Sequence, residues 1–466
     1  MSWFLQALFI WNSFMSGLRI NKPFPQDANK IFLWLGRLLL AWFVIIGILA
    51  FFYNLKNSTS YLNAWTIGEW LITYAGGFVR RGLPGQVLYG IAGVFQVSPV
   101  DVIRLWCCLA FLLFVCVLWD LAGRHLDRVL LVSPFCLLMP LLGDYFFRKD
   151  VTVVLLYGLC LWVLASQSCA RSSSNAFYGI GLVNAFGVLA VLSHESFIFF
   201  GLPSLVWAVS RWKVDHFFKE LNRFAFLRGF ICLCPIVLAS IAVLIFKGSD
   251  QNVFLIHRSW QNLAPLFANQ AGLSSPLPPD GAINALGWSL GQQPTFVISQ
   301  LFSPIAYAFG QLPTLYPPFP AVLPWLLTVY WVLLLFSSAG EAAWRTRRIQ
   351  IALMQLLCVA PLFLIGVDFG RWIFLLTASC SLLYGFWMKT MGKEDAETSF
   401  FPVVMPLYVQ SAFSRSFRWG ISSRLGLLLL GIPACCWSLR GFGLATPVGY
   451  PYKFFVICLL KGNCAG

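Results

Sequence analysis

From Ile31 to Tyr53 the chain runs through 23 residues that carry a single charge, Arg37. A helix crosses a hydrocarbon layer with about 20 apolar residues, so this stretch has the length and character of a membrane span. Comparable runs recur at 102–121, 151–165, 178–192, 196–209, 229–246, 321–337, 349–367, 372–387 and 425–439, with a shorter one at 129–142. In lipid every backbone polar group must be satisfied within the chain, and helices do this segment by segment. The pattern predicts an all-α polytopic integral membrane protein with about eleven transmembrane helices and interfacial helices in its outer loops. Composition agrees, because 59% of the 466 residues are hydrophobic and 11% are charged. Water-soluble domains carry about 25% charge, so a soluble enzyme, a disordered chain and a coiled coil are all excluded.

Lysine and arginine number 32 against 17 acids, a formal +15. In a soluble chain that excess suggests nucleic acid; here it predicts cytoplasmic loops, which are enriched in Lys and Arg. Arg19, Lys22 and Lys30 before the first run place the N-terminus in the cytoplasm. Counting spans from there puts the basic stretches Arg124–Arg128, Arg211–Arg228 and Arg345–Arg348 on the same side.

The expected organisation is a cytoplasmic and interfacial segment over 1–30, with Trp3, Phe9 and Trp11 on the membrane surface, followed by a catalytic-type transmembrane core over 31–246. That core has outer loops at 54–100, 143–150 and 193–196; a long outer loop over 247–320 and a C-terminal transmembrane bundle over 321–466 follow. Gly85–Val97 is apolar but too short to cross, and is expected to rest on the outer interface. The start lacks a basic n-region and a cleavage site, which favours a bacterial inner membrane. Most of the fourteen cysteines sit inside apolar runs without metal spacing, so they are expected to act as small hydrophobes.

Four compact groups of ionisable residues fall outside the basic loops, and span counting places all of them on the outer face. They are Glu69 with Arg80 and Arg81; Asp144 with Arg148, Lys149 and Asp150; His194 with Glu195; and Asp368 with Arg371. Ionisable groups at membrane depth are costly and mark candidate functional sites, although a charge at a helix end also serves as an interface anchor. Gly76, Gly77 and Gly82 bracket the arginine pair, and such a loop suits an anion with several oxygens. Glu69, Asp144 and Asp150 are the candidate general bases. Arg80, Arg81, Arg148, Lys149, His194, Glu195, Asp368 and Arg371 are the candidate substrate and phosphate ligands. No metal ligand set is expected, and no cofactor, with a divalent ion left open.

The layout resembles the GT-C superfamily of integral-membrane glycosyltransferases. The likeness lies in the cytoplasmic N-terminus, a large first outer loop with an acid (Glu69) and an interface helix (Gly85–Val97), a second outer loop with acid and base (Asp144–Asp150), and a longer late loop. The resemblance implies an inverting transferase in which an outer-loop carboxylate activates the acceptor and basic residues hold a polyprenyl-linked donor's phosphate. Its partners are then a lipid-linked sugar donor, a glycan or glycolipid acceptor and membrane lipid, with no nucleic acid. The active face is periplasmic and the product belongs to the cell envelope. Two alternatives stay open: a polysaccharide polymerase acting on undecaprenyl-diphosphate-linked repeats, and a lipid-linked saccharide transporter or flippase.

Overall fold

A computed structural model describes residues 26–56, 65–141, 143–168, 173–211, 225–263, 281–287, 344–366 and 368–390, with isolated residues between 295 and 337. Among the described residues every regular element is helical. The longer helices are α1 (Gln26–Lys56), α4 (Pro99–Ala122), α6 (Asp150–Ser168), α7 (Ser173–Ser193), α13 (Arg345–Ile365) and α14 (Phe369–Thr390). Between them stand α2 (Ile67–Trp70), α3 (Gly82–Phe95), α5 (Arg128–Val132), α8 (Ser196–Phe200), α9 (Leu202–Arg211), α10 (Ala225–Cys232), α11 (Cys234–Ile245) and α12 (Asp250–Trp260).

Five helices, α1, α4, α6, α13 and α14, are long and apolar enough to cross a membrane, and α10 with α11 makes a sixth if that bent pair is one span. The protein is therefore a helical membrane protein. The run at 425–439 lies outside the described residues, as do the N-terminal interfacial segment and most of 321–337.

Three expected spans come out differently, each at a proline. The run at 129–142 is a five-residue helix, α5, followed by turns and a 3-10 segment, Met139–Leu141. Ser133, which precedes Pro134, has ψ 163° and ends α5, because the proline ring clashes with a helical residue before it. The run at 196–209 divides into α8 and α9 around Gly201, just before Pro203. The run at 229–246 bends by 75° at Leu233, just before Cys234-Pro235. The short outer run does form a helix, α3, with Val87, Ile91, Val94 and Phe95 exposed.

Helices α4, α6 and α14 run side by side in one direction. Near their starts the Trp106 indole donates to Thr152 Oγ1 at 3.0 Å, and near their ends Trp162 and Lys389 both donate to Asp120 Oδ2. Close approach comes from small residues. A Cβ at Gly385 would strike the Leu121 and Ala122 backbone, and Gly158 sits against Val117 and Leu382. Helix α14 is buried from Phe369 to Trp387. Its hydroxyls return to its own backbone, Thr377 to Ile373 O and Ser381 to Thr377 O, so no polar atom is stranded there. The nine described cysteines are free thiols, and Cys107, Cys136, Cys160 and Cys380 lie in this core.

Candidate functional site

The starts of α6 and α14 and the end of α7 meet at one end of the bundle, together with the loop that links α2 to α3. Trp70 of α2 donates to Phe147 O at 2.6 Å, Trp260 of α12 to Leu71 O at 2.8 Å, and Asn252 to Gly76 O at 2.5 Å. The loop is also locked from within. Gly77 has φ 100°, and a Cβ at Gly85 would run into the carbonyl of Ile72. Arg81 is held at φ 64° and ψ 7°, a left-handed conformation that is uncommon for a residue with a side chain.

These constraints bring together charged side chains far apart in sequence. Glu69, 1% exposed, stands at the centre. Its Oε1 lies 3.2 Å from His194 Nε2 and 3.6 Å from Arg81 Nη1, and its Oε2 lies 3.6 Å from Arg148 Nη1. Glu195 takes the arginine pair: Arg81 grips both of its oxygens, with Nε donating to Oε2 at 2.7 Å and Nη2 to Oε1, while Arg80 Nη1 donates to Oε1 at 3.3 Å. Arg371 joins two further acids, donating to Asp150 at 2.6 and 3.0 Å and to Asp368 at 2.6 Å. Lys149 is fully buried, donates to Arg81 O at 3.0 Å and lies over the Trp70 ring at 5.6 Å.

Nine of the eleven sequence candidates thus join one ion-pair network: Glu69, Arg80, Arg81, Arg148, Asp150, His194, Glu195, Asp368 and Arg371. Lys149 reaches it through the Arg81 carbonyl. Asp144 has its backbone in a 3-10 turn, Gly143–Phe147, and its side chain lies outside the described residues. The mutual pairing that adjacency suggests for Arg148, Lys149 and Asp150 is replaced by pairing across the fold. Trp70, Trp260 and Trp372 are supporting residues that charge counting passes over; the adjacency of Trp70 to Glu69 and of Trp372 to Arg371 was the available signal.

Burial alone would raise the Glu69 carboxyl, but His194, Arg371 and Arg81 outweigh it and hold the group well below the usual carboxylate range. Glu195 is lowered in the same way, by Arg81, His194 and Arg80 against burial. Burial pushes the Lys149 ammonium down to about 7, opposed by Glu69 and Glu195.

The network is not saturated. Neither oxygen of Glu69 accepts a hydrogen bond of good geometry from a described residue. Arg80 Nε and Ser196 Oγ are buried without a hydrogen-bond partner among those residues. Buried polar groups are normally paired, and unpaired ones mark places where a ligand or water completes the set. Here an ionised acceptor and a guanidinium donor stand in one region, an arrangement that can receive a hydroxyl and hold an anion. Among the described residues, no group of three or more His, Cys, Asp or Glu side chains is placed to hold a metal ion. No protein-family model matches the chain, and neither a curated protein nor a solved structure is similar to it.

Proposed function

We propose that the chain is a GT-C-like membrane glycosyltransferase that moves a sugar from a polyprenyl-phosphate donor to a glycan or glycolipid acceptor in the cell envelope. The observation that carries this reading is Glu69, an ionised and buried carboxylate whose oxygens lack a well-formed hydrogen bond although cations surround it. Sugar transfer with inversion needs a base for the acceptor hydroxyl and cations for the departing lipid phosphate. In this reading Glu69 accepts the hydroxyl proton. Arg80, whose Nε points to no partner, and the adjacent Arg81 face the phosphate. Asp150 is committed to Arg371 by two hydrogen bonds and serves to hold that arginine. The site belongs to the periplasmic face of a bacterial inner membrane, with the N-terminus on the cytoplasmic side.

The test is sugar transfer by the purified protein in nanodiscs, from polyprenyl-phosphate sugars to a glycolipid acceptor. Removing a general base costs about 10²–10⁴-fold, and Glu69→Gln is expected to lose that much. If folded Glu69→Gln, Asp144→Asn and Asp150→Asn proteins all keep full activity, the assignment fails. A second reading, an undecaprenyl-diphosphate-dependent polysaccharide polymerase, is supported by the unsatisfied Arg80 guanidinium. Inactive Arg80 and Arg81 variants beside unharmed carboxylate variants would select it.

A further inference from the structure

His194 sits between two helices, and its ring faces four partners. The backbone N–H of Ser196, the first residue of α8, points at Nδ1 over 3.1 Å. Nε2 lies 3.2 Å from Glu69 Oε1 and 3.4 Å from Arg371 Nη2, and Nδ1 lies 3.7 Å from Glu195 Oε2. The ring is 3% exposed, so water does not supply alternatives freely.

Two tautomers compete for this setting. With the proton on Nδ1, the ring sets a donor against the Ser196 N–H, leaves that buried amide unpaired, and faces Glu69 with a lone pair. Its one gain is a 3.4 Å contact from Arg371 Nη2, a group that already donates to Asp150 Oδ1 at 3.0 Å. With the proton on Nε2, Nδ1 accepts from Ser196 and the N–H dipole is directed to the Glu69 side. An unpaired buried amide costs about 1–3 kcal/mol, which decides between the two.

We infer that His194 is the positioning residue of the site: the Ser196 amide fixes the ring with its proton on Nε2, and that N–H holds the Glu69 carboxylate in place. His194 then contacts the base and not the sugar phosphate, a role that rests on the glycosyltransferase reading only in calling Glu69 the base. The tautomer of a histidine is set by the bond its other nitrogen makes. The N–H contact to Glu69 lies off the ideal line, since no well-formed hydrogen bond reaches that oxygen. The carboxylate therefore keeps its lone pairs for a ligand while remaining anchored.

The test is ¹⁵N NMR of the full chain, ¹⁵N-histidine-labelled in nanodiscs at neutral pH. The chain has four histidines, so the His194 signals are assigned by their loss in His194→Gln. If that variant does not fold, replacing His125, His216 and His257 leaves only the signals in question. The expected result is an unprotonated, pyridine-type Nδ1 and a protonated Nε2, with the Nε2 proton losing its downfield displacement in Glu69→Gln. A protonated Nδ1, alone or with Nε2, overturns the inference, as does an Nε2 proton indifferent to Glu69→Gln. These signals are read without substrate, so they succeed or fail independently of sugar transfer.

Discussion

Helices α4, α6 and α14 are held by charge at both ends, in opposite styles. At the far end Asp120 pairs with Lys389 at 2.6 Å in the open, with side chains 51% and 34% exposed, and Arg128 stacks on Trp119. At the site end the Arg371–Asp150 pair has the same 2.6 Å contact, with both side chains 4% exposed. Equal geometry carries unequal energies. An exposed pair contributes about 0–1 kcal/mol, whereas a buried pair is expensive to assemble and worse to break. Stability alone does not call for the buried version, since a well-packed apolar substitute often does as well. The difference teaches that the site end maintains its charge for something beyond holding three helices together.

The largest effect should come from breaking that buried pair. Arg371→Ala leaves Asp150 uncompensated and is expected to cost about 3–5 kcal/mol of unfolding free energy in detergent titrations. Arg371→Met combined with Asp150→Leu should recover much of it. A double variant as damaged as the single would mean that the pair is structural in its own right.

Lys149 sharpens the contrast through pH. Its folded-state value of about 7 lies below the ordinary 10.5, so the unfolded chain binds the extra proton in between. Stability from this group therefore rises as pH goes from about 7 to about 10.5, and is lost as pH falls back through that window. Melting temperatures across that range should flatten in Lys149→Met relative to the native protein; parallel curves would contradict the assignment.

The smallest effect belongs to the far end. Lys389→Gln should change stability by less than about 1 kcal/mol and leave sugar transfer unaltered, and a loss comparable to Arg371→Ala would erase the distinction between the two ends.

The sequence made the membership of the site legible but not its wiring. Alternating basic and acid-containing loops assign Glu69, Arg80, Arg148, His194 and Arg371 to one face without any coordinates. Only Asp368 with Arg371, three residues apart at the start of α14, could be paired from spacing. Arg148 meets Glu69 instead of its neighbour Asp150, because Trp70 and Trp260 fasten the α2 segment over the start of α6. Tertiary hydrogen bonds of that kind leave no periodic trace. The apolar run at 129–142 was misleading for a simpler reason: hydropathy reports burial, and a buried irregular segment satisfies it as well as a span does. Pro134 was the visible sign.

The central claim is that the site end binds a lipid-linked phosphate. The most direct measurement is the melting temperature of the purified protein with and without polyprenyl phosphate, for the native chain, Arg80→Gln and Lys389→Gln. A ligand bound only by the folded state at a hundred times its Kd stabilises by about 2.7 kcal/mol. The native chain and Lys389→Gln should show that upward shift, and Arg80→Gln should lose it. No shift in the native chain, or an equal shift in Arg80→Gln, would contradict the account.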